Sequence, residues 1–395
     1  MSPTEARPPL RVALVQFKPT KADVAGNVQA VCDIVGAHAD QTDLIVFPET
    51  ALSGYFLEGG VAEAALTVEQ LIDMLGPPPA GGPDVVIGFY ERWRRRLHNS
   101  AVYLGAEEGA WAVRHVHRKM FLPTYGVFDE ARYFRPGREA PVFEVAGVKV
   151  VLGYAPGETD DQLFVWLPEK RTLLPGDNFY RAFPNLYAIR GVPLRRVDHW
   201  LESLSDMIAL EPEYLVPSHT RPIMGRTAVD AALTGYHAGV SSVLQQTLAG
   251  MNRGLRPDEL VEQVTLPPEL ADNPYLQEFY GTVAWSVRSI YTFHLGWFDG
   301  NATSLFPLSN RDRAARIIRL SGGEAAVLEA GRAALAAGDF QWAAELADYV
   351  LAGDNDHAEG RELKASALAE LGERQISANA RNYYLSMAQA LRQGR

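Results

Sequence analysis

Acidic residues and one histidine stand at the ends of strand-like segments in the middle of the chain. Asp177 follows the run KRTLLPG, His219 follows the run EYLVPS, and an earlier turn carries Glu158, Asp160 and Asp161. Such side chains can bind a metal ion or transfer protons, because the strand fixes the backbone while the loop aims the side chain. Taken alone, each is more often a cap or a solvated loop acid. The combination is what indicates a site.

A second pair of charged residues stands at strand ends nearer the N-terminus. Glu49 closes the run LIVFPE, and Lys119 closes the run HVHRK. A carboxylate beside a cation can act as a general base next to a group that stabilises an oxyanion, which suits amide or nitrile hydrolysis. The alternative is an ordinary salt bridge at the edge of a sheet. Composition alone favours that alternative.

Alternating strands and helices are predicted to position these residues. The N-terminal part reads as a strand (RVALVQF), a helix from Asp23 to Ala39, a strand (LIVFPE), a helix around Val61–Leu75, a strand (VVIGFY) and a hairpin over residues 99–117. Further on, LFVWLP and KRTLLPG read as two short strands with Pro-Glu-Lys at their turn. Hydrophobic periodicity of this kind is typical of an α/β layered domain.

Composition limits the class of protein. The chain has 395 residues, enough to bury ample core, and its net charge of −11 argues against a nucleic-acid or anionic-membrane partner. Cys32 is the only cysteine, so no intrachain disulfide can form, and this fits a reducing compartment. No run is long enough for a membrane span, and no signal peptide is visible at the N-terminus. We expect a cytoplasmic protein.

The segment from residue 154 to the C-terminus resembles the alkylsulfatase branch of the metallo-β-lactamase superfamily. The matching motifs are Pro-Gly-Glu-Thr at 156–159, Gly-Asp at 176–177, and Pro-Ser-His at 217–219. The resemblance implies that Glu158, Asp177 and His219 are metal ligands, with zinc as the metal. It also implies that Arg190, in NLYAIRG, contacts the sulfate group of a small-molecule sulfate ester, a role that suits a guanidinium.

One motif of that family is missing. Alkylsulfatases carry an H-x-H-x-D-H loop before the PGET turn, and this chain has none. Its one H-x-H is His115-Val-His117, which is followed by Arg118 and Lys119 instead of the acid and the third histidine. Three donors of mixed type are too few for two ions, so we expect an incomplete metal site.

Residues 10–153 resemble the nitrilase, or carbon–nitrogen hydrolase, superfamily and its glutaminase-type members. The segments that carry the resemblance are VALVQFKPTKADVAGNV, FPETALSGY and HRKMFLPTYGVFDEARYFRPG. By this match Glu49 is the general base, Lys119 the oxyanion partner and Glu130 an auxiliary acid. The cysteine nucleophile expected after VKVVLG is absent. Amidase chemistry by the familial mechanism is therefore not expected.

Beyond residue 225 the sequence becomes helical. Residues 227–252 read as one long helix, and an aromatic-rich stretch that ends in GWFDGN resembles the alkylsulfatase dimerisation region. The resemblance implies a homodimer and offers Tyr291 as a residue of the substrate channel, although packing is the alternative for this side chain. A repeat near the C-terminus, with Leu335 and Leu368 in equivalent positions, resembles tetratricopeptide (TPR) helix pairs.

We therefore predict an α/β protein, made of layered α-β-β-α sandwich halves and followed by an all-α region with TPR-like helix pairs. The expected segments are a nitrilase-like half at 1–153, a metallo-β-lactamase-like segment at 154–225, a dimerisation region at 226–309 and a TPR-like region at 310–395. The expected function is metal-dependent hydrolysis of sulfate esters with an incomplete site. The alternatives are a carbon–nitrogen hydrolase without its nucleophile and an inactive hybrid that serves as a dimeric scaffold.

Overall fold

Two compact units make up the part of the chain that the computed structural model describes. The described residues are 10–55, 59–107, 109–120, 122, 129–137, 149–187, 189 and 193–394. The first unit lies within residues 1–149 and includes Ile189, whereas the second lies within residues 150–187 and 193–394. Each unit has its own five-stranded sheet and its own apolar core.

The sheet of the first unit follows the order of its strands in the chain. Its strands are β1 (Val12–Leu14), β2 (Leu44–Val46), β3 (Asp84–Trp93), β4 (Arg96–Glu107) and β5 (Ala110–Arg118). The first three strands are parallel, and β4 and β5 extend the sheet in antiparallel fashion. Because β1 and β2 are parallel neighbours, a helical connection must join them.

Four helices accompany this sheet in the described part of the unit. They are α1 (Val24–His38), α2 (Val61–Ala64), α3 (Val68–Leu75) and α4 (Glu130–Tyr133). The single helix predicted around Val61–Leu75 is wrong, because Leu66 forms a bridge with Glu91 and interrupts it. Thr67 then starts α3 with a capping box, in which its side chain accepts from Gln70 N at 3.2 Å and its own N–H donates to Gln70 Oε1 at 2.9 Å.

The sheet of the second unit is mixed. Its strands are β6 (Val151–Tyr154), β7 (Leu163–Leu167), β8 (Thr172–Leu174), β9 (Tyr214–Leu215) and β10 (Ile223–Met224), in the order β10-β9-β8-β7-β6. The predicted hairpin is confirmed as β7 and β8, which are antiparallel and joined through a 3₁₀ turn at Pro168–Lys170. Strands β8 and β9 are parallel, with Thr172 opposite Tyr214 and Leu173 opposite Leu215.

Five helices of the second unit follow or pack on this sheet. They are α5 (Val197–Ala209), α6 (Arg226–Asn252), α7 (Pro257–Gln263), α8 (Pro268–Ala271) and α9 (Val283–Leu295). The core between the sheet and α5, α6 and α9 is rich in aromatic side chains, and Trp200, Phe183 and Tyr236 are fully buried there. Large aromatic groups at such positions contribute much of the apolar area that folding removes from water.

The chain ends in five helices, α10 (Asn310–Leu320), α11 (Glu324–Ala337), α12 (Phe340–Gly353), α13 (Ala358–Arg374) and α14 (Ala378–Arg392). Each of α11, α12 and α13 packs against the helix that follows it. Mixed α/β sheets followed by a helical region are therefore confirmed, whereas the sandwich layering and the TPR-like pairing stay predictions. Among the described residues, no helix is both long enough and apolar enough to cross a membrane.

Candidate functional site

Asp177 and His219 lie side by side at the carboxyl edge of the second sheet. Each residue stands five positions beyond a strand residue, Thr172 or Tyr214, and these two residues are register partners in the parallel pair β8–β9. Asp177 Oδ1 lies 3.5 Å from His219 Nε2, and the two side chains are 39% and 71% exposed. Functional groups collect at this edge because parallel strands end there together.

Glu158 belongs to a loop at the same edge, between β6 and β7. Strands β6 and β8 are each antiparallel to β7 and therefore run in the same direction. Asn178 fastens this loop, because its Nδ2 donates to Ala155 O at 2.7 Å and its Oδ1 accepts from Glu158 N at 3.1 Å. The side chain of Asn178 is fully buried, and Trp200 Nε1 donates to its backbone oxygen at 3.0 Å.

The carboxylate of Glu158 is paired with a buried arginine. Arg195 Nη2 donates to Glu158 Oε1 at 3.0 Å, and the two side chains are only 6% and 9% exposed. Arg195 also donates to the backbone oxygen of Asn185. A charge-assisted bond in such surroundings is strong, because little water competes for either group. The ion pair therefore fixes Glu158 in one orientation.

Two buried tyrosines, Tyr180 and Tyr236, lie close enough to Glu158 for its charge to affect the pKa of their hydroxyl groups. Burial raises the pKa of both phenols well above the ordinary value, and the negative charge of Glu158 raises each pKa further. The hydroxyl of Tyr180 accepts a hydrogen bond from Asn185 N at 2.8 Å. Both phenols are consequently neutral near pH 7, and neither is a general base.

Glu158, Asp177 and His219, which the family resemblance implies as zinc ligands, do not form one cluster. Among the described residues, no group of three or more His, Cys, Asp or Glu side chains is placed to hold a metal ion. Glu158 faces the cationic Arg195, and repulsion between Arg195 and a divalent ion would oppose binding at this carboxylate. Catalytic zinc needs three protein ligands, and Asp177 and His219 supply two. The residues present do not fit a two-zinc centre.

Of the two residues predicted to contact a substrate, Arg190 and Tyr291, the structure describes only Tyr291. Arg190 lies outside the described residues. Tyr291 is 6% exposed, belongs to the core and donates from its hydroxyl to Phe298 O at 3.2 Å. Its described contacts are those of a packing residue, and its role toward a substrate stays a prediction.

A second polar cluster, in the first unit, assembles the other three predicted residues. Lys119 Nζ lies 2.8 Å from Glu49 Oε1 and 3.1 Å from Glu130 Oε1. Glu130 is fully buried, whereas the side chain of Glu49 is 53% exposed. Burial lowers the pKa of Lys119, but the charges of Glu49 and Glu130 outweigh it and raise the pKa above the ordinary value. The ammonium group therefore stays charged between two carboxylates.

Two neutral side chains complete this cluster. Asn99 Nδ2 donates to Glu49 Oε1 at 2.6 Å, and the Tyr55 hydroxyl donates to Glu130 Oε1 at 2.9 Å. Burial and the charge of Glu130 raise the pKa of Tyr55. The phenol therefore keeps its proton near pH 7 and donates its hydrogen bond to Glu130 Oε1.

Gly88 on β3 allows the backbone of Glu49 to come close. A Cβ atom at this position would lie 2.5 Å from Pro48 O and 2.8 Å from the Cα atom of Glu49. Thr50, the next residue, has a left-handed backbone with φ of 53°. The turn after β2 is thus tight and directs the carboxylate of Glu49 toward Lys119.

This cluster contains a base and a cation but no sulfur nucleophile. Cys32 lies on α1 against the core, and its sulfur donates to Leu75 O at 3.5 Å. Burial raises the pKa of the Cys32 thiol and so disfavours the thiolate. The strand VLGY, after which a nucleophile was expected, pairs with β7 in the second sheet.

Three residues at these sites were not predicted from the sequence to be functional. Arg195 reads as one of two polar residues before a helix, Asn178 as the neighbour of a candidate ligand, and Asn99 as the start of a strand. Only their burial distinguishes them: the exposed fraction of the whole residue is 7% for Arg195, 0% for Asn178 and 3% for Asn99. A buried arginine needs a buried acid, so the pairing of Arg195 with Glu158 required a three-dimensional structure.

Three family models match parts of the chain, and two of the matched ranges overlap. The models are Carbon-nitrogen hydrolase over residues 11–155, Metallo-beta-lactamase superfamily over residues 92–219 and Alkyl sulfatase dimerisation over residues 256–394. The combination of families predicted from the sequence is therefore confirmed. The metallo-β-lactamase match suggests a metal cofactor in the family, which contrasts with the donor geometry described above.

Individual relatives belong to both kinds of enzyme. A linear primary-alkylsulfatase from Pseudomonas sp. is 40% identical over 249 residues, which are 62% of this chain and 47% of the relative. A glutamine-dependent NAD(+) synthetase from Thermotoga maritima is 34% identical over 145 residues, which are 36% of this chain and 24% of the relative. The chain thus spans about half or less of the curated relatives that it matches.

A solved structure supports the fold. The structure of a stereoselective inverting sec-alkylsulfatase from Pseudomonas sp. aligns with a TM-score of 0.66 and 21% identity. The alignment covers 97% of this chain and 61% of that chain. At this identity, the likeness shows the fold and nothing about activity.

Proposed function

We propose that the protein is a sulfatase-type hydrolase that acts on sulfate esters through a depleted site. In this proposal, Asp177 and His219 are the residues that perform chemistry. The observation that carries the proposal is their adjacency, with 3.5 Å between Oδ1 and Nε2 at the carboxyl edge of the sheet. The match to alkylsulfatases over 249 residues of the chain supports the class of substrate.

An imidazole beside a carboxylate can work as an acid–base pair. Asp177 would orient the ring of His219, and His219 would accept a proton from the water that attacks the ester sulfur. His219 would then return this proton to the alcohol oxygen that leaves as the S–O bond breaks, which gives the alcohol and hydrogen sulfate. The exposure of His219, at 71%, leaves the ring accessible to water and to a small substrate. Positioned acid–base catalysis contributes about 10²–10⁴-fold, so the rate should be far below that of a complete metallohydrolase.

The sulfate group needs a cationic partner in this scheme. We propose Arg190 for this role, because a guanidinium matches the planar array of oxygens on a sulfate ester. Arg195 is the less suitable cation, since it is 6% exposed and already bound to Glu158. Tyr291 is proposed only as a boundary of the substrate channel.

We also propose that the protein acts as a homodimer. The match to the dimerisation family over residues 256–394 supports this assignment. Large apolar side chains are exposed near this region, among them Trp297 at 72% and Phe306 at 95%. Burying aromatic groups of this size is typical of homodimer interfaces.

Release of inorganic sulfate from a linear alkyl sulfate tests the proposal. The full chain is assayed after dialysis against EDTA and again after equilibration with zinc, and bound metal is counted by mass spectrometry. We expect slow release that EDTA leaves unchanged and that Asp177→Asn and His219→Gln each lower by about 10²-fold or more. Glu169→Gln, an exposed acid in the turn at the other end of β8, is the matched control and should retain activity.

Two results would overturn the proposal in different ways. About two zinc ions per chain with zinc-dependent turnover would mean that a complete metal centre forms, so the site would not be depleted. If no sulfate were released under any of these conditions, the protein would not be a sulfate-ester hydrolase.

The second candidate function is that of a non-catalytic dimeric scaffold. The buried pair between Glu158 and Arg195 favours it, because a carboxylate committed to an arginine is not available to a metal or a substrate. Light scattering tests the dimer separately from activity, and a strictly monomeric protein would contradict the scaffold. Carbon–nitrogen hydrolysis has less support, since Lys119, Glu49 and Glu130 come together without a cysteine to attack the amide.

A further inference from the structure

A basic turn lies at the tip of the β3–β4 hairpin in the first unit. The sequence there is Arg92-Trp93-Arg94-Arg95-Arg96, and all five residues are exposed. Trp93 pairs with Arg96 across the hairpin, so Arg94 and Arg95 form a two-residue turn. This segment, residues 92–96, is called the arginine tip below.

Both residues of the turn have a left-handed backbone. The φ angles of Arg94 and Arg95 are 46° and 63°. Two-residue hairpin turns of this form favour Asn and Gly, because a side chain is disfavoured at positive φ. Arginine at both positions is therefore not explained by the geometry of the turn.

The aromatic ring of Trp93 organises the guanidinium groups around it. The guanidinium carbon of Arg94 lies 4.3 Å from the ring centroid, and that of Arg118 lies 3.8 Å from it. Arg118 is itself fixed by an ion pair with Glu91 at 2.5 Å, and Glu91 is buried and also accepts from Ser100. Cation–π contacts hold the two arginines in place at little cost in conformational freedom.

The charges of the arginine tip are not neutralised. Within the part of the chain that the structure describes, Arg94, Arg95 and Arg96 have no acidic side chain within 4.0 Å. Two exposed arginines elsewhere in this unit do have one, in the pairs Arg11–Asp43 at 2.8 Å and Arg114–Glu107. A compact positive centre thus stands on a chain whose net charge is −11.

We propose that the arginine tip binds a compact oligophosphate, such as the triphosphate group of a small molecule. Guanidinium groups bind phosphate oxygens in a bidentate way, and Arg94, Arg95 and Arg96 follow one another in this turn. The arginine tip is a single tight turn, so its positive charge matches a short anion better than a long polyanion. The site is separate from the sulfate-ester chemistry proposed above.

Calorimetric titration of the full chain with inorganic triphosphate, at low ionic strength and without divalent metal, tests this proposal. We expect saturable binding that weakens as sodium chloride is added. The variant R94N/R95G places the residues preferred in such a turn at its two positions, so the hairpin keeps its geometry while two charges are removed. Its Kd should rise at least about tenfold.

The matched control is R11Q/R114Q, which removes the same number of charges from arginines that have acidic partners. It should bind triphosphate within about twofold of the unmodified protein. Absence of saturable binding, or equal binding by R94N/R95G, would overturn the proposal. Tighter binding of a single-stranded oligonucleotide than of triphosphate, lost in R94N/R95G, would contradict the compact ligand class and identify a nucleic-acid contact instead.

Discussion

Asp177 and His219 occupy matching positions beyond two parallel strands, and this register brings Oδ1 and Nε2 to 3.5 Å. The two residues are far apart in the sequence, and each is on a loop that leaves the sheet at the same edge. Their separation is therefore set by the pairing of Thr172 with Tyr214 and of Leu173 with Leu215. An acid–base pair built in this way should behave as one unit.

We expect Asp177→Asn and His219→Gln to lower sulfate release by the same factor, about 10²-fold or more. The double variant should be no slower than either single variant, because each change disables the same pair. Initial rates of sulfate release from the three variants measure this. Losses that multiply in the double variant would show that the two side chains act independently.

Arg195→Met should destabilise the protein by about 3–5 kcal/mol, because it removes the guanidinium that pairs with the buried carboxylate of Glu158. Adding Glu158→Gln to this variant should recover much of the loss, since the buried negative charge that Arg195 balanced is then removed. Urea unfolding curves give the free energies. The neighbouring Arg196→Met is the control and should change little, because Arg196 and Asp198 are each 45% exposed. An equal effect of both arginine changes would contradict the assigned burial.

Gly88→Ala should destabilise the first unit by about 2–3 kcal/mol. The new Cβ would lie 2.5 Å from Pro48 O and 2.8 Å from Glu49 Cα, so the turn that presents Glu49 must move. Gly36→Ala is the control, because no atom lies within 4 Å of a Cβ there, and it should stabilise α1 by about 0.5–1 kcal/mol. Chemical denaturation of both variants tests the contrast. If Gly88→Ala does not change the free energy of unfolding, the close approach of β3 to the turn after β2 is contradicted.

The stability of the first unit should decrease at alkaline pH, partly through Lys119. The pKa of Lys119 is raised on folding from the ordinary 10.5, because Glu49 and Glu130 outweigh the effect of burial. A basic group with a raised pKa stabilises the folded state below its ordinary pKa, and this stabilisation is lost as the pH rises through the folded pKa. The loss should therefore occur above about pH 10.4.

Lys119→Arg should lose less stability over this alkaline range, since arginine stays charged. Urea unfolding at about pH 9 and about pH 11.5 compares it with the unmodified protein. The exposed Lys18→Arg is the control and should follow the unmodified protein. Tyrosine ionisation affects all three proteins alike and cancels in the comparison. Identical pH profiles for Lys119→Arg and the unmodified protein would rule out this contribution of Lys119.

Local patterns predicted most of the elements around the site. The alternating apolar residues of LFVWLP and KRTLLPG specify β7 and β8, because a strand exposes one face and buries the other. Helix α6 was likewise predicted within about one residue of its observed ends. The helix around Val61–Leu75 was not, since a pairing of Leu66 with distant Glu91 interrupts it. Periodicity in a short window contains no information about such a partner.

The chemistry of the site was predictable only in part. Residue type and position after a strand identified Asp177, His219, Glu49 and Lys119, and the structure brings them together in two pairs. The environment of Glu158 was not predictable, because its partner Arg195 lies 37 residues away, in another loop. Whether a carboxylate faces a metal or a guanidinium depends on which side chains are buried beside it, and burial is a property of the tertiary structure.

Asn178 has a consequence for the chemical ageing of the molecule. Its amide uses both ends, one toward Ala155 O and one toward Glu158 N. Deamidation to aspartate would keep the acceptor but would set a negative oxygen against the carbonyl of Ala155, and the loop that holds Glu158 would be released. The two hydrogen bonds hold this buried amide in one orientation and oppose its rotation toward the following backbone nitrogen, the attack that starts deamidation. The fold therefore preserves the residue on which the position of that loop depends.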